Sequence, residues 1–416
     1  MSRLDLENAG KTDTKLPLHG IRVVELSHMV MGPTCGMILG DLGAEVIKVE
    51  PPKGDNTRRL LGAGSGFFRT FNRNKKSVAI DLGEPSGIDA LLKLVDTADV
   101  FVENFKPGRM KELGLDYEAL RKRNPKIVYV SHKGFLSGPY DKRLALDEVV
   151  QMMAGLAYMT GPVGRPLRAG SSVNDIMGGM FGAIGVLAAL YERNLTGIGK
   201  EVQSALFENC VLLSAQHMQQ FVVTGQPAAP MPERINAWAV YDVFELADKQ
   251  QMFIAATGDA QWNSLCDILG RQDLQGDPRL KSNNDRVLAR DWMIPLLSDT
   301  LRTLQPTALA AAFEANSVPF AAIARPEDLF NDRHLKESGG LVKLTLDDGS
   351  NTDIPLLPIS IDGARLQPRL AIPRIGEHTR STLASLGYKA DQIDELVRSG
   401  VVKAAEHLAE PGQISD

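Results

Sequence analysis

The amino-acid sequence predicts an α/β protein, with a parallel sheet in its first half and a smaller α+β region behind it. Three observations carry this. From residue 21 onward, short apolar runs alternate with helical stretches, the order of parallel strands joined by crossovers. The runs Val100–Val102 and Ile127–Val130 are apolar without interruption, as strands covered on both faces are. In GQPAAPMP, residues 225–232, three prolines fall within eight residues, and the pattern changes beyond them.

Each element follows from its local residues. The polar arm up to Pro17 reads as flexible. Ile21–Leu26 is the first strand, Gly32 and Pro33 open a short helix, and EVIKVE (45–50) is the second strand. SVAIDL (77–82), DVFVENF (99–105) and IVYVSHKGF (127–135) are further strands, separated by helices at Pro85–Val95 and Asp116–Lys122. Asp147–Met159 is helical. A longer apolar helix starts near Asn174 and Asp175 and ends near Thr196-Gly197, and a short strand and a second buried helix follow it. Past the prolines, two strands flank the turn Asp248-Lys249-Gln250, with helices near residues 261–269, 287–304 and 307–315. LVKLTLDDGSNTDIPLLP is a hairpin turning at Asp348-Gly349. Thr379–Leu386 is a helix stopped by Gly387, and Asp391 begins the last helical region.

Composition excludes several classes. With 416 residues, 44% hydrophobic and 23% charged, the chain is a globular protein of two or three domains rather than a fibrous or disordered one. A formal charge of −5 gives no general attraction to nucleic acid or to an anionic bilayer. The three cysteines, Cys35, Cys210 and Cys266, have no CxxC spacing and fit a reducing, cytoplasmic compartment. The N-terminus has no apolar stretch of the kind a secretory signal needs. Gly178–Leu190 is too short and too rich in Gly and Ala for a spanning helix, and reads as a buried core helix.

The motifs leave alternatives open. The first strand–helix–strand unit invites a dinucleotide, but G-x-G-x-x-G is absent between Leu26 and Glu45, and Pro33 removes an amide that could bind phosphate. LGAGSG (61–66) is a flexible loop or a phosphate cradle. The seven histidines form no HExxH or zinc spacing, so no metal is expected. No GxSxG elbow is present. Cys35 is a buried small hydrophobe or a thiol activated by a helix start. Arg58, Arg59, Arg73, Lys75, Lys76 and Lys133 lie near strand ends, where they could hold a phosphorylated ligand or simply face water. Asp175 is an N-cap or a carboxylate presented for acyl transfer.

Many blocks, in order, carry a resemblance across nearly the whole chain. They include LPLHGIRVVELSHMVMGP, LGDLGAEVIKVEPPKGDNTR, FNRNKKSVAIDL, ADVFVENFKPG, RAGSSVNDIMGGMFGAIGVLAAL and IPRIGEHTRSTLASLGY. The chain resembles the class III CoA-transferases, a family that also contains formyl-CoA transferase, carnitine CoA-transferase and α-methylacyl-CoA racemase. The resemblance implies a large Rossmann-like parallel-sheet domain built from both ends of the chain, a smaller α+β domain, and an interlocked homodimer. Mapped here, residues 1–220 form the first part of the large CoA-binding domain with the catalytic Asp. Residues 221–329 are linker and small domain, and 330–416 return to the large domain.

The resemblance also implies chemistry. CoA passes from an acyl-CoA donor to a free carboxylic acid, with no tightly bound cofactor and with the CoA thioester as substrate. Asp175 matches the nucleophile, which forms an acyl anhydride and then an aspartyl-CoA thioester. Asn72, Arg73, Asn74 and Lys75 match the stretch bordering the CoA nucleotide, and Asn104, Phe105 and Lys133 match further CoA contacts. Val30 stands where formyl-CoA transferase has Gln. With Met31, Arg168 and Arg234 it makes up the expected substrate pocket, in which a dicarboxylate would need a counterion for its second carboxylate, Arg168 being one candidate and Arg234 another. Succinyl-CoA and a small dicarboxylate are the expected pair. Racemases of the family use a His where Leu146 stands, and leucine carries no proton. A racemase or isomerase, and a CoA-binding protein without turnover, are the alternatives.

Overall fold

The computed structural model describes residues 16–405, so all but the end of the N-terminal arm lies outside the described residues. Two compact units divide the chain. One is formed by residues up to Ala228 together with those from Glu337 onward, the other by Ala229–Lys336.

In the larger unit the strands are β1 (Arg22–Leu26), β2 (Glu45–Glu50), β3 (Lys75–Ile80), β4 (Val100–Glu103), β5 (Val128–Lys133) and β6 (Glu201–Ala205). The principal helices are α1 (Met31–Asp41), α2 (Pro85–Asp96), α3 (Asp147–Met153), α4 (Val173–Thr196) and α5 (Leu206–Thr224). In the smaller unit, β7 (Val240–Glu245), β8 (Gln251–Ala256) and β9 (Phe320–Ala322) form an antiparallel sheet. Helices α6 (Asp259–Leu269), α7 (Arg290–Leu301) and α8 (Pro306–Ala315) accompany it, around a core that includes Trp262, Met293 and Phe313. The chain then returns through a hairpin, β10 (Leu341–Thr345) and β11 (Asn351–Pro355), whose turn at Gly349 has φ +85. A two-residue pair follows, β12 (Ser360–Ile361) with β13 (Ala364–Arg365), then α9 (Thr379–Ser385), α10 (Ala390–Arg398) and β14 (Val402–Lys403).

The large sheet runs β14-β3-β2-β1-β4-β5-β6, parallel throughout except for antiparallel β14. Setting β14 aside, this is the doubly wound dinucleotide-fold order, and its switch point lies between β1 and β4. Ligands of open parallel sheets bind there, beyond the carboxyl ends of the strands. One face of the sheet packs on α2, α9 and α10, with Val24, Phe101, Leu91, Leu383 and Ile393 in that core. The other packs on α1 and α4 through Val23, Val130, Leu39 and Val186.

Two expectations need correction here. β3 begins at Lys75, two residues before the predicted strand, so Lys75 and Lys76 belong to the sheet rather than to a loop. The helix expected over Asp147–Met159 is broken: Gly155, at φ +85, separates α3 from a short helix at Leu156–Thr160.

Helix α4 is long and apolar enough to cross a membrane by length and composition alone. Its glycines explain its packing. A Cβ on Gly179 would lie 2.5 Å from Thr34 Cβ, and one on Gly182 would lie 2.3 Å from His132 Cε1. Only glycine lets α4 approach α1 and β5 this closely. The expectation of a buried core helix holds on that face alone. Met180, Ile184, Tyr191 and Leu195 on the rest of the helix are exposed.

Candidate active site

The site is built around the start of α4. Asp175 is the third residue of this helix and is half-buried. It does not cap the helix, because a carboxylate from α3 does so. Asp147 Oδ2 accepts the amides of Asn174 (2.9 Å) and Asp175 (3.1 Å). These are two of the donors that a helix start leaves without partners. Asp147 itself is buried, and its other oxygen accepts from Gln151 Nε2. Gln151 Oε1 accepts the amide of Ala169 at 2.8 Å, which fixes the segment leading into α4.

The carboxylate of Asp175 accepts no hydrogen bond and joins no salt bridge among the described residues. Burial pushes it up to about 7, the negative charge of Asp147 adds to the rise, and Arg168 opposes it. An unpaired, partly dehydrated carboxylate at a helix start is equipped for nucleophilic chemistry near neutral pH. Arg168 donates from Nε to Ala169 O at 3.0 Å and pairs with Glu148 through a terminal nitrogen. Arg234 belongs to the smaller unit, where Nε donates to Asn236 Oδ1 at 2.9 Å.

The loop from β1 to α1 borders the switch point. Asn104 clamps it by accepting the amide of His28 (3.0 Å) and donating to the carbonyl of His28 (2.8 Å). Phe105 meets the His28 ring edge-on, with centroids 5.5 Å apart. Met29 adopts φ 63, rare for a residue with a side chain, and its amide donates to Thr57 Oγ1 at 3.0 Å. Val30 and Met31 are buried, with Met31 Cε against Gly178 at the start of α4. The exposed side chains of this loop are those of His28 and Met29. Lys133 ends β5, half-buried, and its ammonium makes no ion pair among the described residues.

The cations expected to border the nucleotide behave differently. Arg73 is buried and pairs with Asp41 at 2.6 Å. Asn74 Nδ2 donates to Asp41 Oδ1 at 2.8 Å, and Asn72 Nδ2 to Phe68 O at 2.9 Å. Lys75 is fully buried, 2.7 Å from Glu25 Oε2, and its ammonium also donates to Pro33 O at 2.9 Å. A Cβ at Gly36 would lie 1.8 Å from that same oxygen, so α1 makes room for the pair. Burial pulls Lys75 down to about 8 against the attraction of Glu25. These four side chains are buried and each has a partner within the fold. Arg58 is likewise held by Glu50 at 2.7 Å and stacks on Phe68, 3.6 Å from its centroid. Sequence reading missed the roles of Asp147 and Gln151. Their signal was the i,i+4 Asp/Gln spacing at a helix start, which is common and therefore weak.

Cys35 is the fifth residue of α1 and fully buried. Burial and Glu25 push its thiol far above the ordinary range, so it is a small core residue and not an activated thiol. Cys210 and Cys266 are also free and buried. No group of three or more His, Cys, Asp or Glu able to hold a metal occurs among the described residues.

A doubly wound sheet and a half-buried carboxylate at a helix start, without a partner among the described residues, suit covalent acyl transfer. Residues 18–379 match the model of CoA-transferase family III. The chain belongs to that family, and it is a family III CoA-transferase acting between an acyl-CoA and a carboxylic acid. It is 34% identical to the succinate–glutarate CoA-transferase of Agrobacterium fabrum, over 89% of this chain and 96% of the relative. The succinyl-CoA:glutarate CoA-transferase of Mus musculus is 31% identical, over 95% of this chain and 92% of its own length. A CAIB/BAIF family protein from Brucella suis superposes with a TM-score of 0.79 at 32% identity, covering 89% of this chain and 100% of that structure.

Proposed function

We propose that the protein transfers CoA from succinyl-CoA to a small dicarboxylic acid, with Asp175 as the covalent nucleophile. The observation that carries the residue assignment is the unpaired, dehydrated carboxylate at the start of α4. The Agrobacterium and mouse relatives, both named for succinate or succinyl-CoA with glutarate, support the substrate class.

The reaction runs in four acyl transfers. The Asp175 carboxylate attacks the thioester carbonyl and expels CoA thiolate, leaving an acyl–aspartyl anhydride. The thiolate attacks the aspartyl carbonyl, releasing the donor acid and leaving an aspartyl-CoA thioester. The acceptor carboxylate attacks this thioester, expels thiolate and forms a second anhydride. Thiolate then attacks the new acyl carbonyl and frees Asp175. No external base is needed, because every nucleophile is already an anion. Each intermediate is open to water, so exclusion of solvent is part of the design. Asp147 holds the helix start in register and keeps Asp175 from becoming too weak a base. Lys133 and the His28–Phe105 surface are the proposed CoA contacts, and Asn104 shapes that surface through the His28 backbone.

A homodimer completes this reading. Met180, Ile184, Tyr191 and Leu195 of α4, with Phe221 and Val222 of α5, expose apolar area that a monomer leaves wet. A cytoplasmic address fits the three free cysteines. The test is CoA exchange by mass spectrometry, with succinyl-CoA against a panel of free acids and Asp175→Ala as control. A new acyl-CoA absent with the variant supports the reading. Deuterium entering the acyl α-carbon without exchange would replace it with racemisation.

A further inference from the structure

We propose that Glu148 stands in for a substrate carboxylate on Arg168, and that exchanging one for the other selects acids carrying a second carboxylate. The inference rests on the assignment of Asp175 as nucleophile.

Arg168 is placed by a chain of hydrogen bonds and not by its own length. Its Nε donates to Ala169 O (3.0 Å), and the Ala169 amide donates to Gln151 Oε1 (2.8 Å). Gln151 bonds Asp147, and Asp147 holds the amides of Asn174 and Asp175. The segment carrying Arg168 is thus tied to the same carboxylate that holds the start of α4, and the guanidinium charge reaches the Asp175 carboxyl.

The partner of Arg168 is replaceable. Glu148 lies in the first turn of α3, next to Asp147, and meets one terminal nitrogen of Arg168. The other terminal nitrogen has no partner among the described residues. The two side chains are 37% and 58% exposed, so water can take over from either. An exposed pair of this kind is weak, and releasing Glu148 costs little. An acid whose first carboxylate meets the aspartyl centre can lay a second carboxylate on the guanidinium, using two N–H donors. The apolar end of a monocarboxylic acid leaves the Glu148 pair in place and gains nothing there. Glu148 therefore competes with dicarboxylates alone.

The experiment measures equilibrium binding of glutarate and of butyrate to the full-length enzyme by calorimetry, without CoA and at a pH below 7 where the Asp175 carboxyl is protonated, for wild type, Glu148→Gln and Arg168→Gln. Glu148→Gln is expected to tighten glutarate binding about three- to fivefold and to raise the glutarate-to-butyrate preference. A gain in affinity cannot come from misfolding. Arg168→Gln is expected to lose about tenfold or more of that preference, with Arg168→Lys between the two. The same preference is then read in kcat/KM with succinyl-CoA. A preference that neither substitution moves overturns the proposal, even if transfer and its loss in Asp175→Ala both hold. A preference that shifts as expected while no CoA is transferred supports the selector and sinks the catalytic reading.

Discussion

Asp175 and Glu25 are both carboxylates of the larger unit, and the chain treats them in opposite ways. Glu25 is fully buried. It is met by Lys75 at 2.7 Å and by Ser27 Oγ at 2.8 Å, with Lys48 at 3.5 Å. Asp175 is partly open, has no hydrogen-bond donor on its carboxylate among the described residues, and faces a like charge on Asp147. Saturation turns a carboxylate into structure, because moving it would strand buried cations. Under-saturation leaves it ready to react, at some cost in stability. Asp41, held by Arg73 and Asn74, falls on the first side of this divide.

The sharpest contrast comes from removing each group. Asp175→Ala should lower CoA transfer about a thousandfold or more while the protein stays folded, as read by exchange rates and circular dichroism. Lys75→Met should do the reverse. Leaving Glu25 buried without its nearest cation costs about 3–5 kcal/mol, read by urea unfolding. Loss of stability on Asp175→Ala comparable to that of Lys75→Met would erase the distinction.

Smaller effects sharpen it. The folded-state pKa of Asp175, about 7, lies above its ordinary value, so the folded protein holds this proton more tightly than the unfolded chain. Its ionisation therefore lowers stability as pH rises from about 4 to about 7. Asp175→Asn should raise the melting temperature at pH 8, and the gain should vanish near pH 4. The rate of the donor half-reaction should rise with pH to a plateau above about 7. Asp147→Asn removes the like charge and should move that rise toward acid, unlike a substitution that merely loosens the helix. Lys133→Ala should raise KM for the acyl-CoA severalfold and weaken its salt dependence, the smallest of these changes.

The parallel order, the break near Pro227–Pro232, the glycine-rich helix and the acid at its start were legible because they are local patterns. Strand periodicity and turn residues sit within a few positions of each other. The capping of α4 was not legible, since Asp147 and the amides it holds lie 27 and 28 residues apart in sequence. Met29 gave no warning either. Its positive φ follows from a loop pinned by Asn104 and Thr57, which come from other segments.

By itself the sequence determined parallel strands joined by crossovers and a carboxylate at the head of an apolar helix, because hydrophobic period and helix-start chemistry are written in neighbouring residues. Tertiary structure decided which charges are spent and which are free. Arg73, Lys75 and Arg58 read as surface cations, yet Asp41, Glu25 and Glu50 reach them inside the fold. The residues alone left Asp175 as a cap or a reactive carboxylate; Asp147 takes the capping task, and the Asp175 carboxylate has no partner among the described residues. Burial and pairing depend on which distant segments pack together, and the free energy of an ionised group depends on both.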